Sequence, residues 1–335
     1  MCKILITGAS GFIGTNLASD LMNKGYDVCN IDIHNPKIPE ANTIWKNVDI
    51  TDYAAFEQAV LDFCPDYLVH LAARTDLDGK TLGEYAANTV GVENLLQIIH
   101  KLPDLKKVII TSSKFVTRNG YQIKDQYDYC PHTKYGESKV ETEKRVWKAQ
   151  PHCDWCIIRP TSIWGPWFGV PYRNFFDMVM HRLYFHIGHI KCHKTYGYVG
   201  NAVYQIEQLL FSETLNENNK VFYIGDEPAY EINEWADEIA NELGFKVPTM
   251  PVWFVICLAK FGDFLGLFKI HFPMQSFRFA NMTNDGINDM ANTYVIAPEN
   301  PFSRLEGTKA TIAWMKKYES QKRKSYHENS KNKKT

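Results

Sequence analysis

Apolar and polar positions change their period in blocks along the first half of the chain. Apolar runs of strand length occupy residues 3–7, 28–32, 43–48, 67–73, 107–111 and 153–158. Between them, residues 14–24, 53–63, 81–100 and 131–148 repeat apolar positions every three or four residues, as helices do. Strands that alternate with helices predict an α/β fold, a doubly wound parallel sheet with ligands at the carboxyl ends of its strands.

A glycine-rich turn follows the first predicted strand. Gly8, Gly11 and Gly14 are spaced three residues apart, and a helical pattern begins directly after them. One glycine lets the strand turn sharply, one lets the backbone approach a diphosphate, and the last lets helix and strand pack closely. The helix N-terminus offers N–H groups and a positive dipole end to phosphates. The pattern predicts a dinucleotide site, and a glycine turn without a ligand is the alternative.

Asp32 ends the second predicted strand, at roughly the 20-residue spacing from the glycines that dinucleotide folds use for an acidic residue. A carboxylate there accepts hydrogen bonds from the ribose hydroxyls of adenosine and repels a 2′-phosphate. No Arg or Lys follows Asp32 before Lys37. The sequence therefore predicts NAD rather than NADP, with a turn aspartate at a strand end as the alternative reading. Asp49, after the third strand, is positioned to meet the adenine amine.

Composition narrows the class of protein. The chain has 335 residues, 45% of them hydrophobic, and a formal net charge of −1, so nothing indicates a nucleic-acid partner. The eight cysteines have no framework spacing, and Cys153 and Cys156 lie three apart in a predicted strand, where they face opposite sides. We read the thiols as reduced and the compartment as cytoplasmic, and we expect no signal peptide, because a strand begins at once.

Tyr135 and Lys139 share one face of the helix that residues 131–148 predict, because they are four positions apart. A free phenol has a pKa of about 10 and is a poor base at neutral pH. A cation held beside it favours the phenolate and makes it useful for proton transfer. An exposed helical Tyr and Lys is the alternative when the pair is considered alone.

Together these motifs resemble the extended short-chain dehydrogenase/reductases, and most closely their nucleotide-sugar epimerase/dehydratase branch. The resemblance is strong over residues 1–169 and weak over 198–238 and 305–318. The motifs fall in the order and spacing of that family, and they are Gly8, Gly11, Gly14, Asp32, Asp49, Leu71, Ala72, Ala73, Asn88, Ser112, Ser113, Tyr135, Lys139, Arg159 and Pro160. The resemblance implies a Rossmann-type NAD-binding fold with a smaller C-terminal substrate-binding region.

The resemblance also implies roles. Tyr135 would be the general acid/base, Lys139 would hold the nicotinamide ribose and tune Tyr135, and Ser113 would hydrogen-bond the reacting oxygen. Asn88 would support the cofactor side of the site, and the nicotinamide would sit against the backbone around Pro160 and Ile163. The implied cofactor-binding residues are Gly8, Gly11, Phe12, Ile13, Gly14, Asp32, Asp49, Ile50, Leu71, Ala72, Ala73, Asn88, Tyr135, Lys139, Pro160 and Ile163.

The chain departs from the family after Ser113. The sugar 4,6-dehydratases carry Asp-Glu there to eliminate water, whereas this chain carries Lys114 and Phe115, which cannot do that chemistry. The family's Val-Tyr-Gly tyrosine is missing as well. Lys114 beside a catalytic hydroxyl is a candidate for contacting substrate, with a solvent-facing lysine as the favoured alternative.

The pattern changes after residue 165, where aromatic residues crowd 167–185. Arg173 is suited to a diphosphate, an ordinary surface arginine being the alternative, and Arg304 is a weaker candidate. Histidines near Cys192 have ligand-like spacing, but no second cluster completes a geometry, so we predict no metal. We predict an NAD-binding domain over 1–165 and 195–228, and a substrate-binding region over 166–194 and 229–320.

Residues 251–272 form the most apolar segment, interrupted by Lys260, Asp263 and Lys269. Because no charge-free run approaches the ~20 residues that a bilayer requires, we predict no membrane span. A core or substrate-cap helix is favoured over a membrane-surface helix, although similar segments occur in steroid dehydrogenases of this superfamily. Residues 321–335 are polar and Lys-rich, and predict a disordered basic tail.

The resemblance implies an NAD-dependent enzyme that acts on a nucleotide-diphosphate sugar by reversible hydride transfer, most simply a 4-epimerase. One alternative is a dehydrogenase or reductase of a hydrophobic alcohol such as a 3β-hydroxysteroid. A more remote one is an NAD-binding regulator without turnover, against which Ser113, Tyr135 and Lys139 argue. A homodimer is expected, because helices 81–100 and 135–148 pair into a four-helix interface in the enzymes that this chain resembles.

Overall fold

A computed structural model describes residues 1–213, 215, 219–270 and 272–332 of this protein, without the side chains of 319 and 321–332. The chain forms two compact units. Unit 1 comprises Met1–Ile163, Gly197–Asp226 and Asn288–Pro301, and unit 2 comprises Trp164–Tyr196, Glu227–Ile287 and the remainder from Phe302.

The strands and helices are numbered along the chain. The strands are β1 Lys3–Thr7, β2 Asp27–Asp32, β3 Trp45–Asn47, β4 Tyr67–His70, β5 Lys107–Thr111, β6 Asp154–Pro160, β7 Ser162–Trp164, β8 His186–Ile187, β9 His193–Lys194, β10 Tyr196–Tyr198, β11 Val221–Ile224, β12 Tyr230–Glu231 and β13 Thr249–Met250. The α-helices are α1 Phe12–Asn23, α2 Tyr53–Phe63, α3 Ala86–Ile99, α4 Lys134–Ala149, α5 Arg173–Met180, α6 Val199–Phe211, α7 Ile232–Glu242, α8 Val252–Leu267, α9 Ser276–Thr283, α10 Ala291–Ile296 and α11 Arg304–Asn332. Short 3-10 helices cover Pro39–Ile44, Leu82–Tyr85 and Lys114–Val116.

Unit 1 is built on a seven-stranded sheet in the order β11-β6-β5-β4-β1-β2-β3. Every pairing in it is parallel, from β2 with β3 at one edge to β11 with β6 at the other. Ile4, Leu5 and Ile6 of β1 are completely buried, as expected for a parallel strand that helices cover on both faces. The predicted doubly wound parallel sheet is therefore confirmed.

Several local predictions need correction. The strand predicted over 43–48 is a 3-10 helix followed by the short β3, because Pro39 favours a helical start. The helix predicted over 81–100 begins as a separate 3-10 turn with a capping box between Thr81 and Glu84, and α3 follows. The sequence of residues 195–199 also predicts a strand of the main sheet, but β10 pairs with β7 in a separate two-stranded sheet before α6 begins.

The two units differ from the predicted division at one segment. Asn288–Pro301 belongs to unit 1, whereas the prediction gave it to the substrate-binding region. The reason is local: α10 packs on β11, and the Thr293 hydroxyl donates a hydrogen bond of 2.5 Å to the carbonyl of Tyr223. The functional assignment of each region stays a prediction.

Unit 2 is organised around a cluster of packed aromatic rings. Trp235 of α7 packs against Trp164, Phe175 and Phe176, with ring centroids 4.6–5.5 Å apart, and its indole N–H donates to the Thr308 hydroxyl at 3.1 Å. Two short sheets complete the unit: β9 pairs antiparallel with β12, and β8 pairs parallel with β13. This core explains why aromatic residues crowd the sequence after residue 165.

Helix α8 contradicts the expectation of a core helix for 251–272. Val255 and Ala259 are buried, but the large side chains Trp253, Phe264 and Phe268 are exposed. An apolar helix becomes a core helix only when neighbours cover it on several sides, and here the unit covers one side. Within the part of the chain that the structure describes, no helix is long and apolar enough to cross a membrane. The side chains of the predicted tail, 321–335, lie outside the described residues, and its disorder stays a prediction.

Candidate active site

The predicted site residues of unit 1 gather at the carboxyl edge of the sheet. Along that edge the sheet order places the ends of β2, β1, β4, β5 and β6 side by side. They carry, in turn, Asp32, Gly8, Leu71, Ser112 and Pro160. Neighbouring strands are about 4.8 Å apart, so this row is roughly 19 Å long. Parallel pairing is what brings residues from such distant parts of the chain into one line.

The glycine turn leaves no room for side chains. Gly8 has a φ of +78°, and a Cβ there would lie 2.6 Å from the Ala72 amide nitrogen. A Cβ on Gly14 would lie 2.3 Å from the Gly8 carbonyl oxygen. Helix α1 begins at Phe12 after Gly11, which offers no side-chain acceptor to the first amides of the helix. The turn therefore has the form of a backbone cradle for an anion.

Asp32 is fixed against this cradle. Its carboxylate accepts hydrogen bonds from the backbone N–H of Ser10 at 3.0 Å and of His34 at 2.9 Å. Asn30, two residues earlier in β2, binds the same loop: its oxygen accepts from the Ala9 N–H at 3.2 Å, and its NH₂ donates to the Ser10 hydroxyl at 3.0 Å. The cradle and a carboxylate beside it fit an adenosine diphosphate whose ribose lies next to Asp32.

The other predicted cofactor residues lie on neighbouring strand ends. Leu71 and Ala72 continue from β4, and their amides donate to the backbone and hydroxyl oxygens of Thr7 at 3.0 and 3.2 Å. Asp49 accepts from the N–H and hydroxyl of Thr51, both at 2.8 Å, and is exposed. Ile50 is buried beneath α3. Ala73 follows Ala72 in the same loop, where small side chains leave space.

Asn88 braces two parts of the site. Its amide NH₂ donates to the Arg74 carbonyl at 2.9 Å and to the Ser138 hydroxyl at 2.8 Å, and its oxygen accepts from the Arg74 N–H. Ser138 lies on α4, three residues from Tyr135, and donates to the Tyr135 carbonyl. Asn88 therefore ties the loop after β4 to the helix that carries the predicted acid/base.

Tyr135 and Lys139 lie in the first turns of α4 and are both buried. The Tyr135 ring packs against Tyr85 and Phe115. The Lys139 ammonium donates to the Thr111 carbonyl, at the end of β5, at 2.8 Å. Burial lowers the pKa of Lys139 to about 7, while the carboxylate of Glu143 acts in the opposite direction. The lysine can therefore gain or lose its charge near neutral pH.

A buried ion pair lies one helical turn beyond Lys139, and sequence reasoning missed it. Glu143 and Arg159 are at most 1% exposed and form two parallel hydrogen bonds, of 2.8 and 2.7 Å. The Ser112 hydroxyl also donates to Glu143, at 2.5 Å. The signals were present: Tyr135, Lys139 and Glu143 recur every four residues, and Arg159 interrupts an apolar strand.

Ser113 and Lys114 begin the 3-10 helix after β5. The Ser113 hydroxyl oxygen accepts from the Phe115 N–H at 3.2 Å. The Lys114 ammonium reaches the Ser162 hydroxyl at 2.7 Å, so the expectation of a solvent-facing lysine is wrong. Ser162 stands between Pro160 and Ile163, on the segment predicted to back the nicotinamide, and Ile163 is buried. The cation is held at the edge where the reacting group would lie.

The two predicted diphosphate cations belong to unit 2 and have ion-pair partners there. Arg173 pairs with Asp177 at 3.2 Å on α5, and its guanidinium lies over the Tyr318 ring. Arg304 holds the carboxylate of Glu238 through two of its nitrogens. Among the residues that the structure describes, no group of three or more His, Cys, Asp or Glu side chains could hold a metal ion.

Comparison with known proteins agrees with this geometry. Residues 4–203 match the NAD dependent epimerase/dehydratase family. The chain is 30% identical, over 74% of each sequence, to the N-acetyl-alpha-D-glucosaminyl-diphospho-ditrans,octacis-undecaprenol 4-epimerase of Escherichia coli O157:H7. It is 27% identical to the 3-beta-hydroxysteroid dehydrogenase of Mycolicibacterium neoaurum, over 75% of this chain and 72% of that one.

Solved structures share the fold. The UDP-glucose 4-epimerase of Thermotoga maritima, in a structure with UDP-glucose, superposes with a TM-score of 0.70 at 20% identity, over 94% of this chain and 99% of that one. The Bordetella bronchiseptica enzyme WbmG, in complex with NAD, gives a TM-score of 0.71 at 20% identity, over 94% of each chain. The family resemblance, the fold class and the NAD cofactor that the sequence predicts are confirmed. This chain belongs to the NAD-dependent epimerase/dehydratase family.

Proposed function

We propose that this protein is a 4-epimerase of a diphosphate-linked sugar, most simply a nucleotide sugar. The observation that carries the proposal is the buried pair of Tyr135 and Lys139 on α4, with Lys139 tied to the end of β5, on the same sheet edge as the glycine cradle. A proton-transfer group and a dinucleotide cradle on one edge are what reversible hydride transfer at a sugar carbon requires.

The cofactor would lie along the edge from Asp32 to Pro160. Gly8, Gly11 and Gly14, with the amides around Phe12 and Ile13, would hold the diphosphate. Asp32 would accept from the adenosine ribose, Asp49 and Ile50 would flank the adenine, and Leu71–Ala73 would line the middle of the site. When bound, NAD accepts a hydride from the sugar carbon and returns it.

The protein's own groups handle the proton. Tyr135 would take it from the hydroxyl of the carbon that is oxidised, and return it after the sugar has turned over. Ser113 would hydrogen-bond the same oxygen and fix its direction. The charge of Lys139 favours the phenolate form of Tyr135, which makes proton abstraction feasible at neutral pH.

A diphosphate in the substrate requires a cation to bind it. Arg173 is the first candidate, because a guanidinium suits a diphosphate. Arg304 is weaker, since its fork already grips Glu238 through two nitrogens. Lys114 would contact the sugar, because its ammonium is held at Ser162 beside the predicted nicotinamide segment.

The names of two relatives describe substrates that can be compared with a nucleotide sugar. The name of the Escherichia coli relative describes a sugar on a polyprenyl diphosphate, which shares the diphosphate and the sugar with nucleotide sugars. The name of the Mycolicibacterium relative describes a steroid dehydrogenase, and the apolar helix α8 favours such a hydrophobic alcohol as a second candidate substrate. A steroid needs an apolar slot and no diphosphate-binding cation.

Direct turnover separates these functions. The purified protein is incubated with NAD and a panel of UDP-, GDP- and polyprenyl-diphosphate sugars, and the sugar is followed by NMR. Parallel assays follow NADH absorbance with 3β-hydroxysteroids. Epimerised sugar without net NADH is expected. Steady NADH from a steroid, with every sugar unchanged, would establish the second candidate instead.

The Arg173→Ala variant tests the substrate site. A lost charged hydrogen bond is worth ~1.5–3 kcal/mol, so the KM for the sugar substrate should rise about ten- to hundredfold while NAD affinity is kept. Arg145→Ala is the matched control, because Arg145 pairs with Glu141 on the surface of α4. Equal KM values in the two variants would remove Arg173 from the site.

We also propose a cytoplasmic homodimer. All eight cysteines are free thiols, which supports a reducing compartment. The dimer follows from the four-helix interface expected for α3 and α4. Leu95, Ile98 and Ile99 of α3 are buried in the core of unit 1, so exposed positions such as Val90 would have to supply the contact.

A further inference from the structure

Helix α8 carries an aromatic face that points away from unit 2. Its members are Trp253, Cys257, Phe261 and Phe264, with Phe268 at the C-cap, and together they are here called the α8 outer face. They follow one another at intervals of three or four residues, which places them on one side of a helix. Trp253 is 68% exposed, Phe264 55% and Phe268 63%.

The opposite side of α8 packs against the rest of unit 2. Val255 and Ala259 are buried there, in a cluster with Ile187 and Met274. Gly262 lies on the same side, and a Cβ on it would lie 1.9 Å from the Met274 carbonyl oxygen. Helices at a protein surface normally turn polar residues outward. Packing within unit 2 therefore explains the small residues of α8 and leaves the aromatic ones unexplained.

Neighbouring residues extend the apolar surface. Leu267 and Ile270 follow at the C-terminal end of α8 and are exposed. Phe277, 78% exposed, lies on α9, which begins where the Ser276 N–H donates to the Asp263 carboxylate at 3.1 Å. Single exposed apolar residues are ordinary, but a contiguous set marks a surface that meets a partner or a membrane.

The charges around this surface favour an anionic partner. Between residues 252 and 284 the chain carries Lys260, Lys269 and Arg278, all exposed, and one carboxylate, Asp263. That local excess of positive charge contrasts with the formal charge of −1 for the whole chain. A second copy docking the same face on itself would bring these cations together, which disfavours a symmetric self-contact.

Length decides how such a helix meets a bilayer. Helix α8 has 16 residues and is about 24 Å long. It is shorter than the ~20 apolar residues that a helix needs to span a bilayer. A helix too short to span, with exposed aromatic residues and lysines beside them, fits the plane of the interface, with the rings at the headgroup level.

We propose that the α8 outer face docks this protein on a membrane surface that contains anionic phospholipid. The ring side chains insert at the headgroup level, and Lys260, Lys269 and Arg278 contact the lipid phosphates. The inference does not depend on the proposed sugar chemistry, because the membrane contact is formed by residues to which no catalytic or cofactor role is assigned.

Vesicle flotation with the full-length protein tests the proposal. Phosphatidylcholine vesicles, with and without about 30% phosphatidylglycerol, are the probes. We expect the protein to float with the anionic vesicles, and the bound fraction to fall as salt is raised, since the lysine contacts are screened. Failure to float with anionic vesicles at low salt would overturn the proposal.

Two sets of variants locate the contact. Phe264→Gln with Phe268→Gln should weaken binding to anionic vesicles at least ~tenfold, because binding scales with the apolar area inserted. Leu77→Gln with Val295→Gln is the matched control: it removes two exposed apolar side chains from unit 1 and should bind as the wild type does. Far-UV circular dichroism and NAD binding show that each variant is folded.

A charge variant gives an independent reading. Lys260→Glu with Lys269→Glu retains the aromatic face, and should abolish the preference for anionic over neutral vesicles. If all variants bind like the wild type, another surface makes the contact and the proposal is wrong. If the Phe264→Gln/Phe268→Gln variant instead dissociates a complex of copies in light scattering while wild-type flotation is absent, the face is a self-interface and the lipid proposal is overturned.

Discussion

Replacing Glu143 with Gln removes the negative half of a buried ion pair and leaves the rest of α4 unchanged. Arg159 would then keep its charge in a site where it is 1% exposed, with the Gln126 carbonyl at 2.9 Å and the Tyr223 hydroxyl at 3.3 Å as neutral partners. A buried charge that loses its partner costs ~3–5 kcal/mol. We expect the free energy of unfolding to fall by about that amount.

The assay is urea unfolding at pH 7, with Glu141→Gln as the matched control. Glu141 lies on the same helix and pairs with Arg145 at the surface, where such a pair is worth ~0.3–0.5 kcal/mol. The double variant Glu143→Gln with Arg159→Met leaves no unpaired guanidinium beside residue 143. It should therefore be more stable than the sum of the two single changes by ~2–3 kcal/mol.

The same substitution has a catalytic readout. The Glu143 carboxylate raises the pKa of Lys139, which burial lowers to about 7. Without that carboxylate the pKa of Lys139 falls further, so the ammonium loses its proton at a lower pH. Activity that depends on the charged lysine should then begin to decline at a lower pH than in the wild type.

Two results would refute this reasoning. One is a stability loss in Glu143→Gln no larger than that of Glu141→Gln. The other is an unshifted pH–rate profile in a variant whose stability has fallen, which would show that the pair supports the fold without acting on Lys139.

Three further predictions concern the cofactor, acid stability and assembly. Calorimetry should show NAD binding more tightly than NADP, with the difference reduced in Asp32→Ala; tighter NADP binding by the wild type would contradict the role of Asp32. Burial lowers the pKa of His70 from its ordinary 6.5 to about 3. Between these two pH values the unfolded chain binds one more proton than the native protein. The free energy of unfolding should therefore decrease as the pH is lowered, by up to ~1.4 kcal/mol per pH unit. His70→Gln should flatten that slope in urea unfolding, and an unchanged slope would count against it. Light scattering should report a dimer, and Val90→Glu should shift it towards monomer; a monomeric wild type at micromolar concentration would exclude the interface.

The features that the sequence predicts correctly depend on residues that are close together in the chain. The glycine spacing, the length of the apolar runs and the four-residue step from Tyr135 to Lys139 are each set within a few residues. The parallel pairing of the strands then follows from their alternation with helices. The bounds of α2, Tyr53–Phe63, agree with the prediction to the residue because Asp52 caps that helix through the Ala55 N–H.

Contacts between distant residues explain what it does not. The pairing of Glu143 with Arg159 joins a helix to a strand. Periodicity places Glu143 on the helix face of Tyr135 and Lys139, but it does not show that Arg159 on the strand is its partner. The exposure of α8 is similar: a run of apolar residues predicts a buried helix, and only the packing of Val255 and Ala259 shows that one side is covered. The Lys114 contact with Ser162 depends on the turn after β6 approaching the end of β5.

The Glu143–Arg159 pair links stability and chemistry in one set of atoms. Arg159 immediately precedes Pro160, where the nicotinamide segment begins, and Glu143 follows Lys139 by one helical turn. Ser112, the residue before Ser113, donates a hydrogen bond from its hydroxyl to Glu143. The three segments that carry the proposed acid/base, the reacting-oxygen donor and the nicotinamide wall therefore meet at a single buried carboxylate. A change that loosens this carboxylate should alter turnover before it alters NAD affinity, because Asp32 and the glycine cradle lie at the other end of the row of strand ends.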